Sequence, residues 1–310
     1  MTGPLAGYRI LDLSIWQQGT YATAMLADMG ADVIKIESYS NPDPGRGLGA
    51  PEPESPRRAY FDALNRGKRS ITLDLKSEAG LEVFWRLVAD ADVFHNNMRG
   101  GAMERLGITY DSLTAHNPRI VYSTASGWGH LGPDQHVGAM DTLAQARGGF
   151  MAANVLATGE PMAASFPQAD HVGAIVSGYS IVLALLHRER TGEGQEVNTS
   201  LYGSQMCIQS YSITGALWSG AMTPPRPRED RPPTWTHFQA GDGKWFMIGA
   251  LPADKWWAQF CEVMAAPELA ADPYRTAPDR ALRNREVIAK MDAIFASKPG
   301  STEPPTRFGR

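Results

Sequence analysis

RILDLSIWQQGTYATAMLADMGADVIKIE, residues 9–37, decides the fold. RILDLS reads as a buried strand, TYATAMLADMG as a helix and ADVIKIE as a second strand. The alternation continues outward from there. ITLDLK (71–76), the helix GLEVFWRLVADA (80–91), the strand DVFHN (92–96) and the strand IVYSTAS (120–126) repeat it. Short β-rich runs separated by periodic helices predict βαβ units and a parallel sheet. A Pro/Gly-rich loop at 41–59 and a Gly-rich one at 127–139 interrupt the pattern.

Further along, SFPQAD (165–170) leads into an apolar run that predicts a helix from about His171 to Arg190, ended by TGEG. Val172, Ile175, Val176, Tyr179, Val182, Leu183 and Leu186 fall at helical spacing and predict its buried face. VNTSL follows as a strand passing into another helix. The Pro-rich stretch MTPPRPREDRPPTW (222–235) is the expected domain boundary. Beyond it, residues 236–251 predict a hairpin turning at Asp242-Gly243, and 254–266 and 279–296 predict helices. The expected division is a large domain at 1–222, a linker at 223–234, a small domain at 235–297 and an unstructured tail at 298–310.

With 310 residues, 43% hydrophobic and 20% charged, the chain has an ordinary globular composition. A net charge of −4 argues against broad nucleic-acid binding. Two separated cysteines, Cys207 and Cys261, suit a reducing cytoplasm. The N-terminus does not read as a signal peptide, and the apolar runs read as too short to cross a bilayer, so no membrane partner is expected.

The chemistry-bearing patterns narrow the function. The turn after the first strand holds one glycine, Gly19, where dinucleotide binding needs G-x-G-x-x-G. There is no P-loop, no H-E-x-x-H, no paired metal spacing and no G-x-S-x-G elbow. Arg66, Lys68, Arg69, Lys76, Arg99 and Arg105 form a basic cluster that is either solvated surface or a phosphate site. Asp170 is either a helix cap or an ionised nucleophile favoured by the helix N-terminus. His171 beside it is a candidate base that the helix turns elsewhere.

Taken in order, RILDLS, LADMGADVIKIE, LNRGKRSITLDLKS, GAMERLG, NPRIVYSTASGWG, MDTLAQARGG and LLHRERTGEGQEVNTSL resemble the class III CoA-transferases, the CaiB/BaiF family, over about residues 5–285. The resemblance implies an α/β fold: a large domain with a Rossmann-like parallel sheet, a smaller α+β domain and an interlocked homodimer. It implies transfer of CoA from an acyl-CoA to a free carboxylic acid, with no permanently bound cofactor and with coenzyme A or acyl-CoA as substrate. Asp170 aligns with the catalytic aspartate, which would form a covalent aspartyl-CoA intermediate. Leu73, Lys76, Asn97, Met98 and Arg105 align with CoA contacts, and Gln17 with a residue beside the aspartate. Met98 stands where the family has phenylalanine, Ser38 where arginine is common, and Gly19-Thr20 where Gly-Pro is usual. Trp16, Trp128, Tyr202 and Gln17 are expected near the acyl group, with a short dicarboxylic donor such as succinyl-CoA as the default. An α-methylacyl-CoA racemase is the alternative, but Met140 occupies its histidine position before Asp141. The C-terminus ends earlier than in family members, which makes a truncated CoA-binding protein without activity a further alternative.

Overall fold

The computed structural model describes residues 3–298, apart from 54, 56, 156–158 and 223–225. Residues 223–225 of the linker expected at 223–234, and the tail from 299, therefore lie outside the described residues. The chain divides into two compact units, one up to residue 223 and one from 224.

In the first unit, strands β1 (Arg9–Leu13), β2 (Asp32–Glu37), β3 (Arg69–Thr72), β4 (Val93–Asn96), β5 (Val121–Ser126) and β6 (Glu196–Ser200) form one sheet in the order β3-β2-β1-β4-β5-β6. Every pairing is parallel. The intervening helices are α1 (Gln18–Asp28), α2 (Ala59–Asn65), α3 (Glu78–Ala89), α4 (Ala102–Arg105), α5 (Tyr110–His116), α6 (Asp141–Arg147), α7 (Phe150–Ala153) and α8 (Gln168–Thr191). Helices α9 (Leu201–Ile208) and α10 (Ser210–Ser219) follow β6. The strands are apolar on both faces because both are covered. Ile10, Val33, Val93 and Val121 pack with Leu26 of α1 and Ile181 and Leu185 of α8. Leu11, Ile34, Phe94 and Tyr122 face the other way, toward Phe84 and Val88 of α3 and Leu113 of α5. Full burial of each such side chain stabilises the fold by roughly 1.5–3 kcal/mol.

Helix α8 departs from the sequence expectation in two ways. Its buried residues are mostly small: Gly173, Ala174, Ser177, Gly178 and Ala184, beside Ile181 and Leu185. Ile175, Tyr179, Val182, Leu183 and Leu186, expected inside, are exposed. The cause is close packing on α1: a Cβ at Gly173 would lie 2.9 Å from the Gln18 side chain, so only small residues fit that face. Helix α8 is also, at 24 residues, long and apolar enough to cross a membrane by length and composition, contrary to the expectation that no run is. Here it packs on α1 and the sheet.

The second unit holds the hairpin β7 (Trp235–Gln239) and β8 (Trp245–Gly249), with Gly243 in the left-handed region at φ 80°. Helices α11 (Ala253–Met264) and α13 (Asn284–Ala296) pack with it around Phe238, Trp257, Cys261, Leu269 and Val287, and α12 (Ala277–Ala281) sets Arg280 over the Trp257 ring. Part of the Pro-rich stretch belongs to this unit, because Arg228 pairs with Asp292 at 2.6 Å and Asp230 with Arg285 at 2.6 Å.

Candidate active site

Strand order reverses between β1 and β4, and in open parallel sheets the crevice beyond the strand C-termini at that point is the usual ligand site. The turn leaving β1 is built without a glycine-rich loop. Trp16 adopts φ 61°, a left-handed conformation that costs a bulky residue roughly 1–3 kcal/mol. Hydrogen bonds from three directions hold it. Asp43 accepts from the Trp16 N–H at 3.0 Å, and the Asn97 carboxamide accepts from Ile15 N at 2.9 Å and donates to Ile15 O at 2.8 Å. The buried Lys35 ammonium donates to Ser14 O at 2.7 Å and to Asp43 at 3.0 Å. Gly19 is needed for close approach, since a Cβ there would meet Ser14 at 2.6 Å and Asn97 at 3.0 Å. Underneath, Asp12 binds Lys68 at 2.8 Å and accepts from Thr23 at 2.8 Å, with both Asp12 and Lys68 buried.

Two clefts open on this edge. The first, about 630 Å³, is lined by Leu13, Ser38, Leu73, Lys76, Met98 and Arg105, among others. The second, about 410 Å³, includes Trp16, Gln18, Asn97, Arg99, Met140 and Asp170. Ile15, Met98, Ala102 and Arg105 line both, so the clefts adjoin. The basic cluster splits accordingly. Arg66 pairs with Asp28, Lys68 with Asp12 and Arg69 with Asp32. Lys76, Arg99 and Arg105 have no carboxylate partner among the described residues, and they line the clefts. In the chain after Ser38, two other arginines are already paired, Arg46 with a residue of the first cleft. Arg46 pairs with Glu37 and lies over the Phe61 ring, and Arg57 pairs with Asp62.

Asp170 is not a cap. It is the third residue of α8, Pro167 occupies the cap position, and no side-chain capping bond is made. Its backbone N–H donates to Asp141 Oδ1 at 3.0 Å, which sets the two carboxylates close together. Burial first, and the Asp141 charge second, push the Asp170 carboxyl up to about 7. The charge of Asp170, after burial, also pushes the Tyr60 hydroxyl of α2 upward, so Tyr60 stands within its field. Near neutral pH such a carboxylate is partly ionised, and among the described residues no cation pairs with it.

The predicted residues separate. Leu73, Lys76, Met98 and Arg105 line the first cleft, and Asn97, Met98, Arg105 and Asp170 line the second. The Asn97 carboxamide is engaged by the Ile15 backbone. Gln17 lines neither cleft. It is buried, with its Nε2 2.9 Å from His171 Nδ1. His171 Nδ1 also lies 2.9 Å from Pro167 O, and its ring meets Tyr21 edge-on. Trp16 lines the second cleft, whereas Trp128 and Tyr202 flank Arg147, whose guanidinium lies 4.7 Å from the Trp128 ring centroid. Sequence reasoning missed Gln18, Tyr60 and the bond from Asp170 to Asp141. Only the Gln17-Gln18 doublet carried a signal, since one of two successive helical residues must face differently from the other.

The chain as a whole is similar to known proteins. A model of CoA-transferase family III matches residues 5–302. The chain is 35% identical over 299 residues to an acetyl-CoA:oxalate CoA-transferase of Acetobacter aceti, covering 95% of this chain and 74% of that protein. It is 36% identical over 308 residues to a succinyl-CoA:mesaconate CoA-transferase of Haloarcula hispanica, covering 95% and 75%. A succinate–glutarate CoA-transferase of Agrobacterium fabrum is 34% identical over 293 residues, covering 92% and 72%. Among solved structures, a CaiB/BaiF family protein from Brucella suis superposes with a TM-score of 0.84 at 30% identity, covering 97% of this chain and 80% of that one. The switch-point clefts, their free cations and these likenesses agree: the chain belongs to CoA-transferase family III and is an enzyme of that class.

Proposed function

We propose that the chain moves CoA from an acyl-CoA thioester to a free carboxylic acid through a covalent aspartyl-CoA intermediate on Asp170. The observation that carries this is a carboxylate without a cation partner, in a cleft that adjoins one lined by free cations. In the proposed placement, Lys76 and Arg105 meet the phosphates of CoA. Leu73 lies at its nucleotide end, and Met98, common to both clefts, borders the path of the pantetheine arm.

The Asp170 carboxylate attacks the donor carbonyl and the C–S bond breaks, giving a mixed anhydride and CoA thiolate. The thiolate attacks the aspartyl carbonyl, releasing the donor acid and leaving aspartyl-CoA. The acceptor carboxylate attacks this thioester, giving a second mixed anhydride and thiolate. Attack of that thiolate on the acceptor's acyl carbon gives the new acyl-CoA and restores Asp170. No water enters, so a closed cleft limits hydrolysis of both anhydrides. A racemase would need a proton carrier at Met140, which cannot exchange a proton. Asp141 already accepts from Asp170 N and from Gln145.

The acids are short dicarboxylic ones, a reading supported by relatives named for oxalate, mesaconate and glutarate. The working form is a cytoplasmic homodimer with no membrane or nucleic-acid partner, comprising a large CoA-binding domain (1–222) and a small domain (235–297). The exposed apolar residues Ile175, Tyr179, Leu183 and Leu186 of α8, with Tyr211, Leu217 and Trp218 of α10, supply the face that a second copy covers. Transfer from acetyl-CoA or succinyl-CoA to a panel of free acids, wild type beside Asp170→Asn, tests the reading. Transfer by the wild type alone is expected, and equal transfer by both proteins contradicts it.

A further inference from the structure

Gln18 is the first residue of α1 and is 5% exposed, yet its Nε2 has no hydrogen-bond partner. Two other amides near this cleft, the half-buried Asn97 and the buried Gln145, are satisfied. Asn97 bonds the Ile15 backbone, and Gln145 donates to Asp141 and accepts from Ala164 N. Several other buried polar atoms among the described residues are also unpartnered, including those of Gln205, Gln168, His95 and Trp128. Of all these side chains, Gln18 alone lines the cleft that holds Asp170. A buried donor without an acceptor is unfavourable and rare in native proteins. One lining a substrate cleft is explained by an acceptor that arrives with the substrate.

Position identifies that acceptor. The Gln18 amide lies against Gly173, three residues on from Asp170 in α8. At 1.5 Å per residue this is about 4.5 Å along the helix axis. Side chains on a helix lean toward its N-terminus, so the Asp170 carboxylate leans away from Gly173. The amide therefore faces a point about one turn from the reacting carbon. That suits an oxygen at the far end of a short acid rather than the carbonyl joined to Asp170. Arg99 lines the same cleft without a carboxylate partner among the described residues and offsets the charge of a second carboxylate there.

We propose that Gln18 is a specificity-determining residue, whose carboxamide donates a hydrogen bond to the distal carboxylate of a short dicarboxylic acid and so selects it over a hydrocarbon acid of the same length. The inference rests on the reading of Asp170 as the residue that carries the transferred group.

The test is calorimetric titration of the CoA-saturated protein with succinate and with butyrate, four-carbon acids that differ in the distal carboxylate. The wild type is expected to bind succinate at least about 10-fold more tightly. Gln18→Met keeps the length of the side chain and removes the donor. It is expected to lose that preference, weakening succinate by about 10-fold and leaving butyrate within about twofold. Gln18→Glu, which sets a negative charge against the distal carboxylate, is expected to weaken succinate further and serves if the methionine variant does not fold. Equal binding of the two acids by the wild type overturns the proposal. So does a variant that weakens both acids alike, or neither. Because the readout is binding, it stands apart from whether Asp170 forms a covalent adduct, and each claim fails separately.

Discussion

Asp12 and Asp170 stand in the same unit, and their surroundings treat the same side chain in opposite ways. Asp12, one residue before the end of β1, is fully buried. Burial alone pushes its carboxyl upward, but the charges of Lys68 and Lys35 outweigh that and hold it down at about 2. Ser14 and Thr23 occupy its remaining lone pairs. Asp170 is less enclosed but has no cation beside it, and burial with the Asp141 charge pushes it up to about 7. Burial also brings Lys68 down to about 8 despite Asp12, so this pair is a desolvated anchor beneath the β1–α1 turn. The difference teaches where the fold ties charge down and where it leaves charge reactive. The carboxylate that holds the turn is saturated with donors, and the one lining the cleft has no cation partner among the described residues, the environment expected of a functional carboxylate.

The largest effect expected from breaking this contrast is on turnover. Asp170→Asn should lower CoA transfer by roughly 10³-fold or more, as loss of a nucleophile does. Its thermal stability at pH 8 should hold or rise, because an unpaired buried charge is gone. Asp12→Asn should do the reverse. It leaves Lys68 uncompensated and should cost about 3–5 kcal/mol in urea denaturation.

Dependence on pH sharpens the same comparison. The folded-state value for Asp170 is raised, so its contribution to stability is present in acid and lost as pH rises from about 4 through about 7. Transfer needs the ionised form, and kcat/KM should rise with pH around 7. Asp12 is depressed, so its contribution is present above the ordinary carboxylate value near 3.8 and lost as pH falls toward about 2. The smallest effect belongs to Asp141→Asn. Removing that charge should move the activity rise to lower pH, by less than burial accounts for, since burial is the larger cause. A pH profile of the single variant checks it.

Much of the large unit was legible in sequence, because parallel strands buried on both faces leave short apolar runs between periodic helices. RILDLS, ADVIKIE, DVFHN and IVYSTAS correspond to β1, β2, β4 and β5. Asp170 was legible through its place before a long apolar helix. Its freedom from capping was not, since Pro167 takes that position. The inward face of α8 was misread because periodicity marks large apolar residues, whereas close packing on α1 selects Gly173, Ala174 and Ser177. Within Gln17-Gln18 only Gln18 lines the cleft, and neighbouring residues of one type carry no mark of that. Helix α2, which supplies Tyr60, follows the Pro/Gly-rich insertion and was read as neither helix nor site. The basic cluster was legible as charge, but its partners come from residues far away in sequence, such as Asp28 for Arg66.

The most direct measurement is the intact mass of the protein after incubation with acetyl-CoA or succinyl-CoA, beside Asp170→Asn, followed by peptide mapping. The account predicts a wild-type species heavier by CoA less one water, mapped to Asp170 and absent from the variant. Turnover by the wild type without that adduct, or an adduct that persists in Asp170→Asn, would contradict it.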